Sequence, residues 1–127
     1  MTAPAPHLQV IESYRGSGFR VSGMRHEGSL LVFREHTYSW PILTHESIDI
    51  DALARSVAAG MAHERAPVDL LLLGCGARLL PPPAALRLRL KEIGVALEPM
   101  DTGAACRTYN VLAAEERRVA AALIAVA

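Results

Sequence analysis

Apolar and polar positions change rhythm several times along the chain, and each change marks an element. Residues 8–14 have strand-like content, and Gly16-Ser17-Gly18 interrupts it. Residues 19–23 alternate apolar and polar, as a half-buried strand does. Glu27-Gly28 reads as a turn. Residues 29–33 then form a more continuous apolar run, suited to a central strand. Residues 37–40 make a short further strand that Pro41 stops. This first part predicts an antiparallel meander. The period then lengthens. Ser47 or Asp49 is placed to cap a helix over about residues 50–62, with Ile50, Leu53 and Val57 on its buried side. Residues 69–73 are an apolar strand of the kind covered on both faces, and Gly74-Cys75-Gly76 turns out of it. The run Pro81-Pro82-Pro83 bars a helix until its last member, so a second helix is expected from about Pro83. Leu86, Leu90 and Ile93 form its inner stripe, while Arg87, Arg89 and Lys91 face water. Gly94 is then placed at C′ and residues 95–98 return as a strand, which predicts a right-handed βαβ unit. Asp101 or Thr102 can cap the next helix, whose stripe is Ala105, Tyr109 and Leu112. Beyond residue 103 the Ala-rich pattern admits two readings. One is a single long helix, which alanine favours. The other is a helix to about Glu116 followed by a strand over residues 119–126.

Composition narrows the class. The chain has 127 residues, 51% of them hydrophobic and 20% charged, which fits one globular domain over residues 1–127 with a Pro-rich arm at residues 1–7. Thirteen basic residues balance thirteen acidic ones. No basic excess exists to neutralise a phosphate backbone, so nucleic acid is not an expected partner. The longest apolar runs fall short of the ~20 residues of a spanning helix, and no secretory signal is read at the N-terminus. A reduced, cytoplasmic protein without stable membrane insertion is the expectation. The two cysteines, Cys75 and Cys106, are far apart and form no Cys-x-x-Cys motif. They read as small, semi-buried residues.

Candidate chemistry is sparse. No nucleophile elbow and no Walker lysine motif occur. The histidines, His7, His26, His36, His45 and His63, have no i, i+4 spacing and read as scattered surface residues. No metal or cofactor is expected. Gly74-Cys75-Gly76 after a buried strand invites a dinucleotide reading, with Glu98 as the ribose acid. Leu79 stands where the third glycine belongs, however, and the prolines hold the helix away from any pyrophosphate. What remains is the edge where the two parallel strands of the βαβ unit end. There Gly74, Cys75, Gly76 and Arg78 should come near Asp101 and Thr102, with Thr108, Tyr109 and Asn110 one or two turns on. Capping and turn roles already account for most of these residue types.

Several of these segments occur together in one known family. The residues are Leu70-Leu71-Leu72-Leu73-Gly74-Cys75-Gly76-Ala77-Arg78, the three prolines, Met100-Asp101-Thr102-Gly103-Ala104-Ala105-Cys106-Arg107-Thr108-Tyr109-Asn110, Glu115 and Arg118-Val119. The chain resembles the Mth-type domain family of small proteins from about Val10 onward, most specifically in its second half. That family includes a mitochondrial assembly factor of respiratory complex I and an adipogenesis-associated protein. The resemblance implies an α/β (α+β) domain with a mixed β-sheet, an N-terminal antiparallel hairpin, a βαβ unit and about three helices. It also implies a final strand over residues 117–125, against the helix propensity of the alanines. The N-terminal extension of a mitochondrial member is not read here.

Two functions follow as expectations. The first is a non-enzymatic protein-interaction domain, an assembly or scaffolding factor with an unknown protein partner. It would expose an apolar patch around Phe19, Phe33, Tyr38 and Trp40 on the hairpin. The second is a small-molecule or anion-binding protein, or an enzyme, that uses the Gly74–Asp101 edge. A homodimer through the hairpin edge stays open under either.

Overall fold

The computed structural model describes residues 8–127. The arm expected over residues 1–7 lies outside the described residues. Among the described residues, eight strands and three α-helices follow one another. The first three strands, β1 (Ile11–Ser13), β2 (Gly18–Val21) and β3 (Met24–Glu27), form a small antiparallel sheet in the order β1-β2-β3. The strand β3 is polar, Met-Arg-His-Glu, and mostly exposed, so no hydrophobic rhythm announces it. It exists because β2 offers a partner in register, Gly18 opposite Glu27 and Val21 opposite Met24.

The second sheet carries the domain. It uses β4 (Ser29–Val32), β5 (Thr37–Trp40), β6 (Leu70–Gly74), β7 (Ala96–Met100) and β8 (Val119–Leu123), in the order β5-β4-β8-β6-β7. The meander therefore divides at Gly28, and β4 starts a new sheet. The hairpin β4–β5 is antiparallel, β4 is antiparallel to β8, and β8, β6 and β7 are mutually parallel. It follows that β5, β8, β6 and β7 all end at one edge of the sheet, and only β4 begins there.

Helices cover both faces. The helices α1 (Ile50–Met61) and α2 (Leu86–Glu92) lie on one, where Leu53, Val57, Leu86 and Leu90 pack with Leu71, Leu73, Ala120 and Ala122. The helix α3 (Thr102–Ala114) lies on the other, together with the small sheet. There Ala105, Tyr109 and Phe19 pack with Leu72, Ala121 and Leu123. Asp49 caps α1, accepting from Ala52 N at 3.0 Å, as one of its two expected caps. Gly60 of α1 rides directly over the Phe33 ring, where a Cβ would overlap it. A fastener joins the end of α1 to the hairpin. Glu64, whose side chain is 4% exposed, accepts from Glu35 N at 2.8 Å and holds His36 Nδ1 at 2.7 Å. The T-shaped contact of His36 with His63 extends it. His36 and His63 are thus part of a local network, where the sequence suggested scattered surface histidines.

One boundary differs from expectation, and one ambiguity is resolved. The helix α2 begins at Leu86, not at Pro83. Leu86 N donates back to Pro83 O at 3.2 Å, and Ala85 takes φ +71°, so the chain turns once more before it coils. The Ala-rich tail is a helix and then a strand. The end of α3 is a Schellman motif. Arg117 N donates to Leu112 O at 2.9 Å, Glu116 N donates to Ala113 O at 3.0 Å, and Glu116 takes φ +61°. Glycine is the usual residue at that position, so its absence hides the helix end from sequence reading. Every residue of β8 is buried. Ala120 and Ala122 face α1 and α2 while Val119, Ala121 and Leu123 face α3, a period of two that only a strand produces. We expect Glu116→Gly to stabilise the fold by about 0.5–1 kcal/mol, read as a higher denaturant midpoint at unchanged slope.

Candidate functional site

The shared edge of the large sheet is where the expected site residues lie, and backbone geometry builds it. Cys75 N donates to Met100 O at 2.8 Å, which carries the parallel pairing of β6 and β7 one step past the strands. Thr102 N then donates to Gly76 O at 2.8 Å, and Gly76 N donates to Thr102 Oγ1 at 3.0 Å. The Thr102 hydroxyl in turn donates to Ile124 O at 2.7 Å. One fully buried hydroxyl thus joins the segments that leave β6, β7 and β8. Gly74 permits this approach, because a Cβ there would come within 3.0 Å of Thr102 Oγ1 and 3.1 Å of its Cα. Asp101 caps α3 by accepting from Ala104 N at 2.8 Å. Gly74, Cys75, Gly76, Asp101 and Thr102 therefore meet as expected, and their polar groups are largely spent on one another.

Neither thiol is poised as a nucleophile. Cys75 is 4% exposed, and its Sγ lies 3.5 Å from Leu80 O inside the α1–α2 layer. Burial pushes the Cys106 thiol up to about 12. The dinucleotide reading fares no better, since the helix that would face a pyrophosphate starts only at Leu86.

The later residues of the group serve another purpose. Tyr109 lies about 10 Å further along α3 than Thr102, at 1.5 Å per residue. It is fully buried, and its hydroxyl is within donating distance of Gln9 O at 2.7 Å and Phe33 O at 3.1 Å. Burial also raises its pKa, which keeps the phenol neutral and donating. Asn110 meets Ile11 as a neighbouring strand would. Its Nδ2 donates to Ile11 O at 2.8 Å and its Oδ1 accepts from Ile11 N at 2.9 Å. Both side chains fasten the N-terminal segment to α3. Thr108, between them and the rim, is half-buried.

Arg78 is exposed and, among the described residues, has neither an ion pair nor a hydrogen bond. Next to it Leu79 is 61% exposed. The loop after β5 reaches the same region, because His45 Nε2 lies 2.7 Å from Pro81 O, and that loop carries Leu43 at 79% exposure. Leu43 and Leu79 are two of the exposed apolar side chains among the described residues; Met24, Leu88 and Val111 are exposed elsewhere. The hairpin patch expected from sequence is not formed: Phe19, Phe33 and Trp40 are buried in the two cores, and only Tyr38 reaches the surface. The cause is coverage of both faces of the sheet, which turns hairpin aromatics inward. Leu43 and Leu79 were missed because single leucines in loops belong to no periodic pattern. Thr102→Val is expected to cost about 1–3 kcal/mol in urea unfolding, because Gly76 N and Ile124 O both lose their partner, and Thr102→Ser should cost clearly less. Equal losses for the two variants would contradict the bonding role of the hydroxyl.

Comparison with known proteins agrees with this architecture. A Rhodobacter capsulatus protein described only as uncharacterized is 40% identical over 114 residues, covering 90% of this chain and 82% of its own length. A Danio rerio protein named NADH dehydrogenase [ubiquinone] 1 alpha subcomplex assembly factor 3 is 34% identical over 115 residues, covering 91% of this chain. The matched region spans 63% of that relative's length. The solution structure of a Bordetella pertussis protein, described as a Mth938-like domain, superimposes with a TM-score of 0.78 at 31% identity. That superposition covers 98% of this chain and 90% of the other. No helix among the described residues is long and apolar enough to cross a membrane. With residues 11–124 matching the family described as "Protein of unknown function (DUF498/DUF598)", the chain belongs to the DUF498/DUF598 family.

Proposed function

We propose that this chain is a non-enzymatic protein-interaction domain that assists the assembly of an NADH dehydrogenase. The observation that carries the reading is the name of the Danio rerio relative, which aligns along 91% of the chain. The chemistry of the sheet edge supports it. The Thr102 hydroxyl, the Asp101 carboxylate and the Gly76 amide all have partners inside the fold. Leu43, Leu79 and Arg78 stay outside it. The exposed Leu79 next to a guanidinium that pairs with no described residue suits a protein surface that offers an apolar contact and a carboxylate. Capture of the tagged chain from cells should recover NADH dehydrogenase subunits. The double variant Arg78→Glu with Leu79→Asp should lower that recovery roughly tenfold or more. Absence of those subunits from the wild-type capture would end the reading.

One observation favours a second reading. Because Arg78 has no acid partner among the described residues, the rim can also hold a small anion beside Gly76. Phosphate or a nucleotide in the millimolar range should then raise the melting temperature of the wild type but not of Arg78→Ala. Equal melting temperatures with and without anion would remove this alternative.

A further inference from the structure

We propose that the edge of β5 with which no described strand pairs is the interface of a symmetric homodimer, in which β5 of one copy pairs antiparallel with β5 of a second. This goes beyond the assembly reading and does not depend on it. The two sheets end in the strands β1, β3, β7 and β5. An open edge is a template for another strand unless something blocks it. At β1, Asn110 already occupies both N–H and C=O of Ile11. At β3, Arg25 and Glu27 put charge on the edge. At β7, Pro99 lacks a donor and Arg87 Nη1 takes Leu97 O at 2.7 Å. Only β5, Thr-Tyr-Ser-Trp, has no charge and no proline.

The hydrogen-bonding phase of β5 is complementary to itself. Phe33 N donates to His36 O at 2.7 Å, so that pair is hydrogen-bonded. In the observed register Leu31 faces Tyr38, and alternation makes it the next bonded pair. The N–H and C=O of Thr37 and Ser39 therefore point away from β4. No hydrogen bond within the described residues uses them. Antiparallel self-pairing about Tyr38 sets Thr37 opposite Ser39 of the other copy at both ends of the row. Each such pair exchanges N–H···O bonds in both directions. Tyr38 sits on the two-fold axis, opposite its own counterpart.

Space and charge fit a second copy. A groove of about 250 Å³ lies beside Tyr38, lined by Leu31, Ser39, Ser56, Ala59, Gly60 and His63. In the pairing it receives the Tyr38 ring of the other copy, since side chains of a non-hydrogen-bonded pair lie on the same face. Neutral Thr-Tyr-Ser-Trp sets no like charges opposite each other. The thirteen acidic and thirteen basic residues leave no net charge to repel an identical chain. A foreign extended peptide on the same edge would instead leave the chain at its single-chain mass.

Sedimentation of the full chain at micromolar concentrations tests the proposal. The wild type should show twice the 13.7 kDa chain mass. Tyr38→Lys, which places like charges across the axis, and Ser39→Pro, which deletes an outward donor, should both give the single-chain mass. Circular dichroism should show both variants folded. Tyr38→Cys should form a disulfide-linked dimer under mild oxidation, the native Cys75 and Cys106 being buried. A wild type of single-chain mass, or a dimer that Tyr38→Lys and Ser39→Pro leave intact, would overturn the proposal. If either variant fails to fold, the cross-link decides, and its absence in oxidised Tyr38→Cys refutes the interface.

Discussion

The fold depends on one strand being accepted between two others. The strand β8 lies between β4 and β6, antiparallel to one and parallel to the other, with every residue buried. Without it the β4–β5 hairpin and the β6–β7 pair share no backbone hydrogen bonds. Its three consecutive alanines answer a spatial constraint. Layers press on both faces, so small side chains let them close at interior packing density. The same constraint overrides propensity. Alanine is the best helix former, but a helix continued beyond Ala114 would leave the inner edges of β4 and β6 unpaired.

The junction at Thr102 belongs to the same logic. Three parallel strands end side by side, and each releases a segment whose first backbone groups need partners. Thr102 supplies them in two directions at once, to Gly76 and to Ile124. At the usual ligand edge of an α/β sheet, the Thr102 hydroxyl and the neighbouring peptide groups are bonded to one another. What stays available there is peripheral: Arg78, Leu79 and Leu43. Under the proposed reading these side chains meet a protein surface.

Much of this could be read from the residues. The rhythm of residues 69–73, the Gly94 punctuation and the Asp49 and Asp101 caps locate the parallel core, because each is a local signal with a local cause. The strand β3 could not be read, since Met-Arg-His-Glu pairs through its backbone and shows little to the core. The end of α3 was hidden because Glu116 adopts the conformation that glycine would have advertised. Residues 103–126 were therefore ambiguous until the family resemblance supplied the strand. At the candidate site the meeting of Gly74–Gly76 with Asp101–Thr102 followed from topology. The roles of Tyr109 and Asn110 did not, because their partners are backbone atoms of Gln9, Phe33 and Ile11, far away in the chain. The hairpin aromatics were misplaced for a related reason: alternation says which residues share a face, but not that both faces are covered.

The place of β8 in the chain also governs biosynthesis. It is the last strand of the large sheet to leave the ribosome, yet it occupies the middle of that sheet. Until it emerges, the nascent polypeptide holds two half-sheets whose facing borders are sticky and uncovered. Open strand borders of that kind are templates for mispairing with neighbouring chains until the sheet closes.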